Sequence, residues 1–325
     1  MAEKLFLGID TSNYTTSAAL CNEEGEILLN AKAPLPVKEG ERGLRQSDAV
    51  FHHVKNLPLC SDKVRDTLNG AAGSLTAVGC SSTPRDNSGS YMPCFLAGVA
   101  AAEMTSSSTG LPLYKVSHQA GHVMAALASA CKNNGVDIIE TMSAPFIAFH
   151  VSGGTTDMLL CEPDAERIFK ITQIGGTRDI NGGQAIDRTG VLMGLRFPCG
   201  AEMDKAALEF SGKVRNDGLS VNGTWCNLSG LENKAAALYK ETHSIQEVSA
   251  YTLNFIGRTL EKLTQNALTE YGKMPVLYAG GVMSSNYIKK RLMKYGMFAD
   301  AQYSSDNAVG VALLCAELYR RDTIK

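Results

Sequence analysis

Nowhere in these 325 residues does an apolar run approach the length that crosses a bilayer. The first such run, residues 5–9, is too short for a signal peptide and lacks a cleavage site, so a cytoplasmic protein with no membrane contact is expected. Paired cysteines are missing as well. The nine thiols are scattered, odd in number and include no C-x-x-C, which argues against a disulfide framework and against a thiolate metal site. Most have apolar neighbours, so reduced, structural cysteines are expected. Nor is there an excess of one charge: 31 basic residues against 33 acidic give a net charge of −2 and no global attraction for nucleic acid. Any RNA contact then needs a local basic patch or a partner protein. The basic clusters, Lys289-Lys290 with Arg291 and Arg320-Arg321, read as ordinary solvated helix faces.

What is present is apolar material, 44% of the chain, enough for the cores of two ordinary domains. Residues 5–9 form a buried-strand pattern, and the hydroxyl-rich Asp10-Thr-Ser-Asn-Tyr-Thr-Thr16 turns the chain back. Residues 17–21 and 26–31 then read as strands on either side of the turn Asn22-Glu-Glu-Gly25. Amides and hydroxyls of the first turn can hold phosphate oxygens, and Asp10 a metal or a water. The pattern returns at residues 146–161, around His150-Val-Ser-Gly-Gly-Thr-Thr156. Laying Ile9-Asp10-Thr11-Ser12 over His150-Val151-Ser152-Gly153 brings the two Thr-Thr pairs nearly into register. A repeat at about 140 residues is too long for a solenoid. It predicts two duplicated domains, with a turn from each lining a cleft.

Between and after the repeats, residues 44–57 carry a helical pattern with His52 and His53, which point about 100° apart and are expected at the surface or in a supporting role. Residues 75–80 read as a strand, 81–93 as a loop and 95–105 as an alanine-rich helix. The polar break at 132–141 is the expected crossing between domains. Trp225 is placed in a polar loop, 216–232, and His243 in a solvated helix start. Residues 244–268 and 309–319 read as helices. The strand at 275–279 runs into Gly280-Gly281-Val282 and then Ser284-Ser285-Asn286, a strand–glycine–helix order suited to nucleotide contact but weak alone.

The most informative stretch is Lys115-Val-Ser-His118-Gln-Ala-Gly-His122. Ser117 is placed to cap a helix, and in that helix both imidazoles leave one face and can share one metal ion. Later, Asp187 follows Asp179 in a glycine-rich segment. If that segment is helical the two carboxylates lie near one face and suit sugar hydroxyls; otherwise Asp179 is an N-cap.

In order, these motifs resemble the TsaD (YgjD-type) family of the actin-like ATPase superfamily, once labelled O-sialoglycoprotein endopeptidases. Ile9-Asp10-Thr-Ser is similar to the family's I-E-T-S turn and His118-Gln-Ala-Gly-His122 to its H-x-x-G-H motif. Val151-Ser-Gly-Gly-Thr-Thr-Asp, Thr177-Arg-Asp179-x-x-x-Gly183-x-Ala-x-Asp187, Gly280-Gly-Val and Tyr303-Ser-Ser-Asp306-Asn307 resemble later motifs. The resemblance implies an α/β fold of two duplicated actin-like, ribonuclease H-like domains around a central cleft. These would span 1–133, with a returning C-terminal helix at 307–325, and 142–306. It implies transfer of threonylcarbamoyl from its adenylate to N6 of the adenosine beside the tRNA anticodon, with TsaB-like and TsaE-like subunits as partners. One divalent metal, iron or zinc, and an adenine nucleotide or acyl-adenylate, with or without Mg, would be bound. Carried over, Asp10, Thr11 and Ser12 form the catalytic turn. Ser152, Gly153, Gly154, Thr155, Asp179, Gly183, Asp187, Gly280, Gly281 and Ser285 line the nucleotide. His118, His122 and Asp306 are metal ligands, and His150 is a candidate fourth.

Departures from the family pattern suggest a divergent member. Tyr14-Thr15 replaces an acidic pair, and neither residue is a general base near pH 7. Gln184 stands for a glutamate, Ser285 for an asparagine, and the loop at 81–93 lacks the family's Gly-Pro-Gly. Three functions therefore stay open: the family reaction, acyl transfer to another acceptor, and a non-catalytic nucleotide- and metal-binding partner. Endopeptidase activity is set aside, because the zinc protease motif needs a glutamate where this chain has Gln119.

Overall fold

A computed structural model describes residues 3–12, 14–36, 44–303 and 308–324. The chain divides into two compact units: Met1–Ala128 with Pro163–Lys170 and Ser305–Lys325, and Ser129–Glu162 with Ile171–Ser304.

The first unit opens with an antiparallel meander of β1 (Glu3–Asp10), β2 (Thr15–Asn22) and β3 (Ile27–Pro34). It continues through α1 (Gln46–Gly70), β4 (Gly73–Thr83), α2 (Phe95–Thr109), β5 (Leu113–Ser117) and α3 (His118–Asn134). β4 pairs parallel to β1 and β5 parallel to β4, giving the order β3-β2-β1-β4-β5. Parallel neighbours need crossovers, which the helices supply. α1 extends well past the expected 44–57 and runs through Pro58. One lost backbone hydrogen bond is outweighed by the face that buries Ala49, His53, Cys60 and Val64. His53 is accordingly not at the surface: it is fully buried, with Nδ1 2.9 Å from Thr16 Oγ1.

The second unit runs α4 (Ile138–Met142), β6 (Phe146–Val151), β7 (Thr156–Asp164), β8 (Ile168–Thr177), α5 (Gly182–Leu192) and α6 (Gly200–Glu209). β9 (Ser220–Asn222), β10 (Trp225–Asn227), α7 (Gly230–Thr242), α8 (Ile245–Glu270), β11 (Val276–Ala279), α9 (Asn286–Leu292) and β12 (Met297–Phe298) follow. Its sheet has the order β12-β11-β6-β7-β8-β10-β9. Without the added β10 and β9 this is the first sheet again, strand for strand: β6 and β7 antiparallel, β11 and β12 added parallel. Duplication is thus legible in the topology. Trp225 opens β10 instead of lying in a loop, with the Arg178 guanidinium 5.3 Å from its ring centroid. His243 ends α7 as a left-handed cap, φ 52°, where a helix start had been expected. The core gathers around α8, and the rings of Phe149, Tyr278 and Phe298 stack in sequence across β6, β11 and β12.

The chain returns to the first unit as α10 (Val309–Ile324). Gly8 and Gly79 leave room on the sheet for Ala312 and Cys315, and Gly310 lies on the Gly121 carbonyl of α3 with no space for a Cβ. All nine cysteines are buried and free. Burial pushes the Cys21 and Cys80 thiols up to about 12, which leaves them inert.

Candidate functional site

In the first unit, three parallel neighbours bring their carboxyl ends together. Ile9 of β1 lies opposite Cys80 of β4, and Thr83 lies opposite Ser117 of β5. Asp10, Ser81 and His118 therefore meet at one edge, the usual place for ligands in such sheets. Ser117 starts α3 as its spacing predicts, its Oγ accepting from Ala120 N at 3.2 Å. One turn on, His118 Nε2 and His122 Nε2 stand 2.9 Å apart. The other nitrogen of His118, Nδ1, is 3.3 Å from Asp10 Oδ1.

Asp10 is fully buried. Ser12 Oγ donates to its Oδ2 at 2.6 Å and Ser81 Oγ to its Oδ1. Burial alone would raise this carboxyl, but the charge of His118 and the hydrogen bonds from His118, Ser12 and Ser81 outweigh it and hold the pKa below the ordinary value. An ionised Asp10 favours hydrogen on His118 Nδ1 and leaves Nε2 as the nitrogen that faces His122. Thr11 is equally buried and ties the end of β1 to α2: its Oγ1 donates to Cys94 O at 2.9 Å and accepts from Gly98 N at 3.0 Å. The structure thus sets Asp10, Thr11 and Ser12 behind the histidines, with each side chain bonded inside the protein. Tyr14 is 44% exposed.

The donor set fits a metal as far as it is described. Both Nε2 atoms are close enough to reach one ion at about 2.1 Å each, and a carboxylate behind a ligating imidazole is the usual second support. Asp306, the expected carboxylate ligand, lies outside the described residues. Among the described residues no group of three or more His, Cys, Asp or Glu side chains is arranged to hold a metal. His150 sits half-buried on β6, in the second unit.

In the second unit the same edge of the sheet has a different content. After Val151, residues Ser152 to Thr155 form a tight turn: Ser152 N donates to Thr155 O at 2.7 Å, and Ser152 Oγ accepts from the amides of Gly154 and Thr155. Gly153 and Gly154 are exposed. Gly183, in the first turn of α5, donates its amide to Ser152 O, and a Cβ there would lie 2.6 Å from Gly153 N. Gly280, φ 101°, crosses so close over Val151 that no other residue fits. Ser152, Gly153, Gly154, Thr155, Gly183 and Gly280 are brought together, with Gly281 next in the chain. The exposed part of this arrangement is the Gly153–Gly154 backbone; the first amides of α5 are bonded inside the protein, Gly182 N to Thr156 Oγ1 and Gly183 N to Ser152 O.

The remaining expected residues are used differently. α5 begins at Gly182, after Asp179, so Asp179 and Asp187 do not share a helical face. Asp179 does not cap α5 either; that cap is Asn181. Its Oδ1 accepts from Ile180 N and Leu228 N, both at 2.7 Å, and Oδ2 from Ser229 N at 3.0 Å, which binds it to the start of α7. Burial opposes ionisation, but these donors prevail and hold the carboxyl well below the usual range. Asp187 Oδ1 accepts from Cys199 N at 2.8 Å. Ser285 caps α9 and donates to Asp204. Ser81 was missed because the strand reading stopped at Cys80; its only signal was a hydroxyl next to the strand end.

A doubled β-meander with parallel additions, each bearing a ligand-type turn at the same edge, defines an actin-like ATPase fold. In agreement, the activator of 2-hydroxyisocaproyl-CoA dehydratase from Clostridium difficile, solved with bound ADPNP, superposes with a TM-score of 0.51 at 11% identity. That likeness, over 98% of this chain and 97% of the activator, concerns the fold alone. The family profile of TsaD, tRNA N6-adenosine threonylcarbamoyltransferase, matches residues 36–313, and the chain belongs to this family. A tRNA N6-adenosine threonylcarbamoyltransferase of Streptococcus suis is 28% identical over all of this chain and 95% of its own length. That of Streptococcus thermophilus is 30% identical over 97% of this chain and 92% of its own.

Proposed function

We propose that this protein transfers the threonylcarbamoyl group from threonylcarbamoyl-adenylate to N6 of the adenosine beside the tRNA anticodon. The observation that carries the reading is the His118–His122 pair, backed by buried Asp10, in a chain of the TsaD family. In the reaction the N6 amine attacks the carbamoyl carbonyl, AMP leaves, and the amine gives up a proton. A divalent ion, iron or zinc, held by His118, His122 and Asp306, would supply Lewis-acid polarisation of a donor oxygen. Asp10 fixes the ring of His118, with Ser12 and Ser81 keeping Asp10 ionised and Thr11 fixing the strand end. The exposed Gly153–Gly154 turn beside α5 holds the adenylate phosphate, with or without Mg. Gly280 and Gly281 shape the wall beside it.

TsaB-like and TsaE-like subunits are the proposed partners. Support comes from large apolar side chains exposed on α1, Phe51, Val54 and Leu59, and on α2, Leu96 and Met104. The cytoplasm, where tRNA is modified, is the proposed location; no described helix is long and apolar enough to cross a membrane. Two actin-like domains, 1–133 with 307–325 and 142–306, are the proposed organisation. The second reading, transfer to another acceptor, is favoured by exposed Tyr14, and by Thr15 at the start of β2, where relatives carry acids.

The test is reconstitution. The full chain with the remaining pathway proteins, including the one that forms the adenylate, and with threonine, bicarbonate, ATP and unmodified tRNA should yield N6-threonylcarbamoyladenosine by nucleoside mass spectrometry. No product, alongside a working relative run in parallel, would favour the second reading or a non-catalytic role.

A further inference from the structure

The start of α9 caps onto α6: Asp204 accepts from Ser285 Oγ and from the amides of Asn286 and Tyr287, the last two at 3.1 Å. Beyond this junction the two helices part and leave a pocket of about 450 Å³. Its lining is of two kinds. Ala207, Leu208, Phe210 and Tyr287 supply apolar and aromatic surface, and Lys290, Arg291 and Lys294 supply charge. Every charged side chain in the lining is cationic. The acid nearest the junction, Asp204, is spent on the α9 cap. One carboxylate, Glu261, faces both Arg291 and Lys294 at 2.8 Å, so a single negative charge offsets two of the cations. Lys290 is exposed, and Lys289 beside it lies with Nζ 5.6 Å from the Phe298 ring centroid.

From this lining we infer that the pocket binds an unpaired nucleotide of RNA, the base against Phe210 and Tyr287 and the flanking phosphates on Lys290 and Lys294. A bare phosphate would leave the apolar part of the lining uncovered. An acidic peptide would satisfy the cations but present nothing flat to the rings. Bases stack on aromatic side chains regardless of sequence, and cations along the rim follow the backbone. The pocket rests on the tRNA-modification reading and gives that reading a contact surface in the second unit. It also revises the expectation that Lys289-Lys290-Arg291 is merely a solvated face.

The experiment measures binding of an unmodified tRNA transcript to the full chain by fluorescence anisotropy across a salt series. The double variant Lys290→Ala, Lys294→Ala is compared with Lys290→Arg, Lys294→Arg and the wild type. The alanine variant should bind roughly tenfold more weakly near 0.1 M salt, with the log–log salt slope shallower by about 1.4–1.8 for two lost phosphate contacts. The arginine variant should restore both. ATP affinity and the thermal transition should not move. In the reconstituted reaction KM for tRNA should rise while kcat holds. Equal tRNA affinity and slope in all three proteins would overturn the inference, as would loss of ATP affinity alongside, equal competition by polyglutamate, or no tRNA binding by wild type at 50 mM salt. The two readings fail separately. A wild type that binds tRNA here but modifies none loses the transferase reading and keeps the pocket; an alanine variant with unchanged KM does the reverse.

Discussion

At the end of β1 the buried residue is Asp10; at the end of β6, in the same place in a sheet of the same strand order, it is Val151. From this one difference the two units part. In the first, a carboxylate inside the protein must be matched, and Ser12, Ser81 and His118 are drawn onto it; its turn is then closed and works through side chains. In the second, an isopropyl group needs no partner. The turn after it stays at the surface, is built of glycines, and works through amides. Duplication supplied one scaffold, and a single buried residue set whether its edge suits a metal or an anion.

The sharpest way to break this comparison is to remove the rings. With both His118→Ala and His122→Ala, bound metal should fall to nothing by elemental analysis while ATP affinity is kept; unchanged stoichiometry would move the metal elsewhere. The mirror experiment is Gly183→Ala. Its Cβ would press on Gly153 N, and overpacking of about 1–3 kcal/mol should reach the turn. Nucleotide affinity by calorimetry should drop about tenfold or more, for roughly 1.4 kcal/mol lost per decade, with metal content unaltered. If Gly183→Ala also strips the metal, the two turns are not independent. The smallest effect belongs to Asp179→Asn. The folded pKa of Asp179 lies below its unfolded value near 3.9, so its contribution to stability is complete above about pH 5 and is lost as the pH falls through about 4 and below. The variant should be less stable at pH 7 by denaturant titration, and the gap should narrow below pH 4. A gap that stays constant from pH 5 down to pH 2 would mean that shape, not charge, holds the start of α7.

The first meander, the hairpin that opens the second, the Ser117 cap and the pairing of the two histidines were legible because they depend on local spacing; the third strand of the second meander, β8, was not read. The duplication was legible too, since the same turn residues recur. What escaped depends on partners distant in the chain. Pro58 sits inside α1 because His53 and Cys60, on either side of it, are buried, and no local rule reports that. His53 was left between the surface and a supporting role until Thr16 was opposite it. Spacing offered Asp179 either a face shared with Asp187 or an N-cap, whereas the donors it actually meets, Leu228 and Ser229, lie some fifty positions on. The convergence of the two histidines was therefore visible, while the bonds made by the acids were not.

One packing detail bears on how the molecule is made. Gly310 of α10 rests on Gly121 of α3, between the two histidines, and α10 also covers Gly8 and Gly79 on the sheet. During synthesis the first 128 residues leave the ribosome with that face of their sheet bare and the histidine helix unsupported. Some 180 more residues must follow before the covering segment arrives. The earliest part of the chain to be born is thus among the last to mature, its histidine pair supported only after nearly everything else has been translated.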